Sequence, residues 1–273
     1  MIRQRVITAV TLLILFLLSL FLLPTAWWAT LIVIIVLQGA IEWARLSGLS
    51  GKTTTIYLFL TLVMMLSIAW INTQYLRQSG LWYALIYGAS VLLWLVVVPL
   101  WLAARWRASQ SFPMMLIGWM LLIPTGLAMM DLRMQDPWLL LGVMGLVWIA
   151  DIAAYFGGRK FGRHKLAPTI SPGKTWEGVI SALLGVTVCV LLVVWVRDLS
   201  MTRAALFGIL MASWMCVGLS VIGDLFESAV KRQAGVKDSG TLLPGHGGLL
   251  DRIDALTSTL PLVAMTILLQ RLI

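Results

Sequence analysis

The sequence predicts an all-α polytopic membrane protein with about nine transmembrane helices. Three observations carry that reading. Hydrophobic residues fill 60% of the 273 positions and charged residues only 11%, against about 25% charge in ordinary soluble domains. The apolar residues gather into runs of the ~20 positions that a helix needs to cross a bilayer, where it must satisfy its own backbone hydrogen bonds. Lys and Arg then fall unequally on the two sides of those runs, as a fixed orientation in a membrane requires.

The runs cover roughly residues 6–23, 25–41, 56–71, 82–103, 112–130, 137–156, 176–196, 204–223 and 255–272. Only Pro24 separates the first from the second. The first is longer than the roughly 7–15 apolar residues of a secretory signal, and bulky Trp27 and Trp28 follow where small residues belong. It therefore reads as a retained span. With nine spans and the amino terminus in the cytoplasm, 15 of the 20 Lys and Arg residues fall on the cytoplasmic side, and Arg77, Arg133, Arg197, Arg203 and Arg271 on the other.

The net charge of +9 is spread over loops that this topology explains, with no basic domain outside the membrane. Attraction to anionic lipid is the expected consequence, and nucleic acid is not an expected partner. Cys189 and Cys216 lie within predicted spans and read as small packing residues. Before Asp151 the acids are only Glu42, Asp131 and Asp136. Residues 1–136, with five spans, therefore read as scaffold, and residues 137–273, with four spans and their cytoplasmic loops, as the catalytic region.

Asp151 sits one turn inside the sixth span, where an acid is costly and marks a site. The other reading is a helix-end carboxylate paired with Arg159 or Lys160. Ser171-Pro172-Gly173-Lys174-Thr175-Trp176-Glu177-Gly178 opens the seventh span. Proline, lysine and threonine before a helix suggest a start whose free amides bind an anion, although the spacing is not that of a P-loop. Arg159 to Lys165 is either part of the same phosphate site or a basic anchor.

The densest polar stretch runs from Ser228 to Asp254, with four bases, three acids, a histidine and five glycines in 27 residues. Asp251 and Asp254 are three apart, so on a helix they share a face, and Asp224 at the end of the eighth span could join them. Such carboxylates suit magnesium, which takes few protein ligands and leaves positions for water and substrate phosphates. No cluster of Cys or His points to zinc. His246, between Gly245 and Gly247, either orients phosphate or bonds the backbone. The ends of spans six and eight and the starts of seven and nine share one boundary, so these groups can meet.

The stretch with Ser228, Lys231-Arg232, Lys237-Asp238, His246-Gly247-Gly248 and Asp251-Arg252-Ile253-Asp254 resembles the signature of the phosphatidate cytidylyltransferase family, also called CDP-diacylglycerol synthases. Ser171 to Gly178 and Gly223-Asp224 are similar as well. The resemblance implies transfer of CMP from CTP to phosphatidic acid, giving CDP-diacylglycerol and pyrophosphate. It also implies dependence on magnesium with room for a second, monovalent cation, a homodimer, and a site at the cytoplasmic face of a bacterial inner membrane. By the same resemblance Asp224, Asp251 and Asp254 bind metal, with Lys237, Asp238 and His246 in the catalytic set. Ser171, Lys174, Thr175, Glu177, Ser228, Lys231, Arg232 and Arg252 bind substrate. A cytidylyltransferase with another lipid acceptor is the nearest rival. An anion transporter would instead place its charges near the bilayer midplane.

Overall fold

A computed structural model describes residues 2–74, 80–108, 110–242 and 247–272. The described residues form nine helices: α1 Ile2–Leu22, α2 Thr25–Leu46, α3 Gly51–Gln74, α4 Gly80–Ala104, α5 Ser111–Gln135, α6 Pro137–Phe161, α7 Trp176–Val196, α8 Arg203–Gln233 and α9 Leu250–Leu272. Eight are long and apolar enough to cross a membrane, and the apolar stretch Ile7–Leu22 of α1 is shorter. Each expected span is thus a helix. The large apolar side chains of Ile14, Phe59, Leu66, Val188 and Leu192 point outward from the bundle, which suits a lipid solvent.

Several helices run beyond their apolar stretch. α6 continues to Phe161, α8 to Gln233, and α9 starts at Leu250 rather than at 255. At 31 residues, α8 is about 46 Å long, well over the ~30 Å hydrocarbon thickness. The reason is local: residues 224–233 contain no Gly or Pro, and the chain first turns back at Gly235, with φ 72°. Asp224, Glu227, Ser228 and Lys231 therefore stand on helix, not on a loop.

α4 carries a π-type segment at Leu93–Val97. Pro99 follows, and its missing N–H and its ring disturb the preceding turn. The bulged region sets Trp94 and Trp101 edge-on against Phe226 of α8, at 5.8 and 5.7 Å between ring centroids. A second departure from expectation is a hairpin between α6 and α7, with strands β1 Lys165–Ala167 and β2 Ser171–Thr175 paired antiparallel.

Packing runs across residues 136 and 137. One large core joins Trp28, Val36 and Trp43 of α2 and Leu122 and Leu127 of α5 with Leu256 and Leu260 of α9. Buried indoles find backbone acceptors: Trp28 Nε1 donates to the Met129 carbonyl at 3.3 Å and Trp43 Nε1 to that of Met114 at 2.7 Å. Arg133 is likewise buried, donating from Nε to the Leu20 carbonyl at 2.8 Å at the end of α1. α6 and α7 form a separate seam of Ala150, Ala182 and Val186. They meet so closely that a Cβ on Gly157 would fall 2.2 Å from that of Ser181, the small-residue contact that membrane helices favour.

Candidate active site

Lys231 is the hub of the site. Its Nζ lies 2.9 Å from Glu227 Oε2, one turn back on α8, and 2.6 Å from Asp251 Oδ1 on α9. All three side chains are largely buried, at 12%, 7% and 5% exposure. Asp251 Oδ2 accepts from Ser239 N at 2.9 Å and Gly248 N at 2.8 Å, and the single Ser239 Oγ proton, 3.0 Å away, is shared between it and Glu42. One carboxylate thus ties α8, α9 and both ends of the connecting loop together.

The loop is held from behind by a residue of α2. Glu42 is fully buried. Its Oε1 accepts from Gln38 Nε2 at 3.1 Å and Leu249 N at 2.9 Å, and its Oε2 from Ser239 Oγ at 2.8 Å and Leu250 N at 2.9 Å. The positive end of α9 stabilises this buried anion. Glycines make the approach feasible: a Cβ on Gly248 would lie 2.4 Å from Glu42 Oε2, and Gly247 has φ 83° with its Cβ position 2.7 Å from Asp251 Oδ2. The glycine pair of the motif is therefore explained by close contact with two carboxylates.

A second cluster surrounds Asp224. Lys174 Nζ of the hairpin lies 2.6 Å from Asp224 Oδ2, and Ser228 Oγ donates to Asp224 Oδ1 at 3.2 Å. Asp151 lies close enough to interact with both Lys174 and Asp224. The pairing with Arg159 or Lys160 is thus replaced by a place beside the site. Asp254 interacts electrostatically with Asp224, Glu227 and Lys231 and so joins the two clusters. α8 and α9 come together here without space for a side chain on Gly223, whose Cβ would meet the Asp254 carbonyl at 2.8 Å.

The expected anion-binding helix start takes a different form. Thr175 is buried and its hydroxyl accepts from Gly178 N at 3.2 Å, while Trp176 N donates to the His164 carbonyl at 3.0 Å. The protein itself uses those amides, because hairpin and helix share them. Glu177 accepts from His164, with Nδ1 2.6 Å from Oε1, and fastens the end of α6 to the start of α7. Ser171 opens β2 and is half-buried. Arg232, Lys237, Asp238 and Arg252 are exposed around this core, and His246 lies outside the described residues.

Three residues of the site were not singled out from sequence: Glu42, Glu227 and Ser239. Glu42 carried one available signal, an acid at the end of an apolar run. Ser239 carried none.

The donor set suits a hard cation. Glu227 Oε1 is buried and receives no N–H donor; it stands close to Asp254, and the two carboxyl groups meet at a cavity of about 20 Å³ whose other walls are mostly apolar, among them Trp43, Trp94, Leu121 and Phe226. Among the described residues no three His, Cys, Asp or Glu side chains stand around one point as metal ligands. Magnesium needs only one or two carboxylates beside water and phosphate oxygens. Asp224, Asp254 and Glu227 fit that requirement, whereas both oxygens of Asp251 already serve Lys231, Ser239 and Gly248.

Because Lys231 separates two buried carboxylates, Lys231→Ala is expected to do more than weaken phosphate binding. It leaves Glu227 and Asp251 without their shared cation, a loss of about 3 kcal/mol or more. A lowered unfolding temperature in detergent checks this; an unchanged one would contradict the hub.

A family profile described as the cytidylyltransferase family matches residues 3–270. The chain belongs to that family. Among similar proteins, a phosphatidate cytidylyltransferase of Pseudomonas aeruginosa is 39% identical over 270 residues, covering 97% of this chain and 96% of the relative. The protein of the same name from Haemophilus influenzae is 36% identical, covering 96% of each chain. One from Staphylococcus aureus is 43% identical over 118 residues, 43% of this chain and 44% of its own. The matches of this cytidylyltransferase-family chain to the Pseudomonas and Haemophilus relatives cover 97% and 96% of it, so they include the N-terminal helices that deliver Glu42.

Proposed function

We propose that this protein transfers CMP from CTP to phosphatidic acid, forming CDP-diacylglycerol and releasing pyrophosphate. The observation that carries this reading is end-to-end similarity to two relatives named phosphatidate cytidylyltransferase. The geometry supports it: acids and bases converge at one end of α6 to α9, beside a belt of outward apolar side chains. A water-soluble nucleotide and a lipid phosphate can meet at such a boundary. In this proposal the boundary is the cytoplasmic face of a bacterial inner membrane, and the assembly is a homodimer.

A non-bridging oxygen of the lipid phosphate forms a bond to the α-phosphorus of CTP, and the bond to the bridging oxygen of the β-phosphate breaks, so pyrophosphate leaves with the electron pair. The acceptor is already an anion, so positioning and charge neutralisation matter more than a strong general base. Lys174, Lys231, Arg232, Lys237 and Arg252 supply positive charge for the phosphates, with Ser171, Ser228 and His246 as polar contacts. Thr175 and Glu177 hold the hairpin and helix start in place, and Asp151 and Asp238 flank the bases. Asp224 and Asp254, with Glu227 beside them, would hold magnesium, which offsets phosphate charge and orients the reacting oxygens when bound, whereas Asp251, expected among the metal ligands, fixes Lys231 and the loop instead. A monovalent cation at the same carboxylates is part of the proposal.

Purified protein in detergent, given magnesium and phosphatidic acid, is expected to release pyrophosphate from CTP and not from ATP, GTP or UTP. Release should stop when magnesium is chelated. Equal release without phosphatidic acid would contradict the reading, and a preference for another lipid phosphate would move the assignment to a related acceptor.

A further inference from the structure

We propose that the cleft between the ends of α4 and α8 is a second phosphate site, which takes the headgroup of an anionic lipid. The cleft has a volume of about 430 Å³ and is lined by Trp101, Arg105, Trp106, Arg107, Ile170 and Arg232, with no acid among the described residues of its wall. Arg105, Arg107 and Arg232 are exposed. Neither Arg105 nor Arg107 is ion-paired among the described residues. Arg105 and Arg107, which have no place in the proposed substrate site, therefore face this space without compensating charge among the described residues, beside Arg232 at the edge of that site.

The backbone is shaped to present them. Arg105 ends α4 with φ 52°, a left-handed conformation that non-glycine residues seldom adopt, and Trp106 N donates to the Trp101 carbonyl at 3.1 Å. This reversal turns Arg105, Trp106 and Arg107 back over the helix end. Gln233 donates from Nε2 to the Ala108 carbonyl and ties the segment to α8. Trp101 stacks edge-on against Trp106 at 6.0 Å between centroids. The hairpin tip, with Thr169 and Ile170, closes one side.

The cleft is distinct from the carboxylate clusters. Successive helical residues turn by about 100°, so Ala229 and Gln233, which line the cleft, point away from Glu227 and Lys231. The ~10 Å body of α8 lies between. Guanidinium groups bind phosphate through paired hydrogen bonds, tryptophan favours the membrane interface, and basic pockets between helix ends suit anionic headgroups. The shared chemistry is a phosphate group, which a lipid or a soluble phosphate could bring.

The test uses the full-length protein and its Arg105→Gln/Arg107→Gln variant in neutral detergent, with bound lipid read by native mass spectrometry. Phosphatidylglycerol is the anionic probe and phosphatidylcholine the neutral control; inorganic phosphate and CTP are the soluble arms. The wild type is expected to retain phosphatidylglycerol in preference to phosphatidylcholine. The variant should bind it about tenfold more weakly, with unchanged elution and unchanged turnover at saturating CTP and phosphatidic acid. Equal phosphatidylglycerol binding by the two proteins overturns the site. Arginine-dependent binding of inorganic phosphate or CTP, without any such dependence for phosphatidylglycerol, overturns the lipid assignment. The lipid readout needs no turnover, so its failure is separable from failure of cytidylyl transfer.

Discussion

Asp251→Asn is expected to lower turnover by about a hundredfold or more while the protein remains folded and monodisperse. Asn keeps the shape but has one acceptor oxygen where Asp251 has two. In the structure those oxygens receive Lys231 Nζ, Ser239 N, Ser239 Oγ and Gly248 N. The new amide group must turn its own N–H toward one of these donors, and Lys231 loses one of two negative partners. The loop between α8 and α9 is then no longer held at both ends by one carboxylate, and the charge balance of the proposed phosphate site changes. Steady-state turnover with size-exclusion chromatography checks this. A folded variant of normal activity would remove Asp251 from the site.

Glu42→Ala should reduce both stability and activity, although Glu42 belongs to α2 and touches none of the clustered bases. The substitution strips partners from Gln38 Nε2, Leu249 N and Leu250 N at once and leaves the Ser239 hydroxyl with Asp251 alone. Each buried donor left unpaired costs about 1–3 kcal/mol, and the start of α9 loses the anion that complements its positive end. Glu42→Gln, which keeps the volume and one acceptor, should fall between wild type and Ala in unfolding temperature and turnover. Equal stability and turnover in all three proteins would show that Glu42 does not hold the loop.

These two residues also mark what was legible in the sequence. The nine apolar runs could be read because partition between water and lipid depends on each segment's own composition. Helix length could not, because hydropathy marks where lipid ends and not where hydrogen bonding ends. Residues 224–233 interleave charges with Leu225, Phe226 and Val230, yet nothing in them breaks a helix, so α8 carries its charges in helical register. The hairpin was hidden for the opposite reason: Ser171 to Thr175 contains Pro and Gly and alternates poorly, and it is held as a strand by pairing with Lys165 and Ala167.

Within the candidate site, Asp224, Lys231, Asp251 and Asp254 stood out because polar residues are rare and concentrated in this chain. Their partnerships were not readable. Lys174 meets Asp224 across 50 positions, and Ser239 meets Glu42 across 197, distances that only the packed bundle sets. Glu227 carries no motif signal of its own in the sequence, although its burial places it at the centre of the charge network. From sequence the helix start at Trp176 reads as open to an anion, because sequence cannot show that His164 and Thr175 occupy the Trp176 and Gly178 amides.

The most direct measurement follows the phosphorus. Purified protein with magnesium and phosphatidic acid is given CTP labelled at the α-phosphate in one reaction and at the γ-phosphate in another, and lipid is extracted. Cytidylyl transfer predicts label in the lipid from the α-position only, with the γ-label recovered in pyrophosphate. Label entering lipid from the γ-position, or no lipid label from an active and folded preparation, would contradict the account.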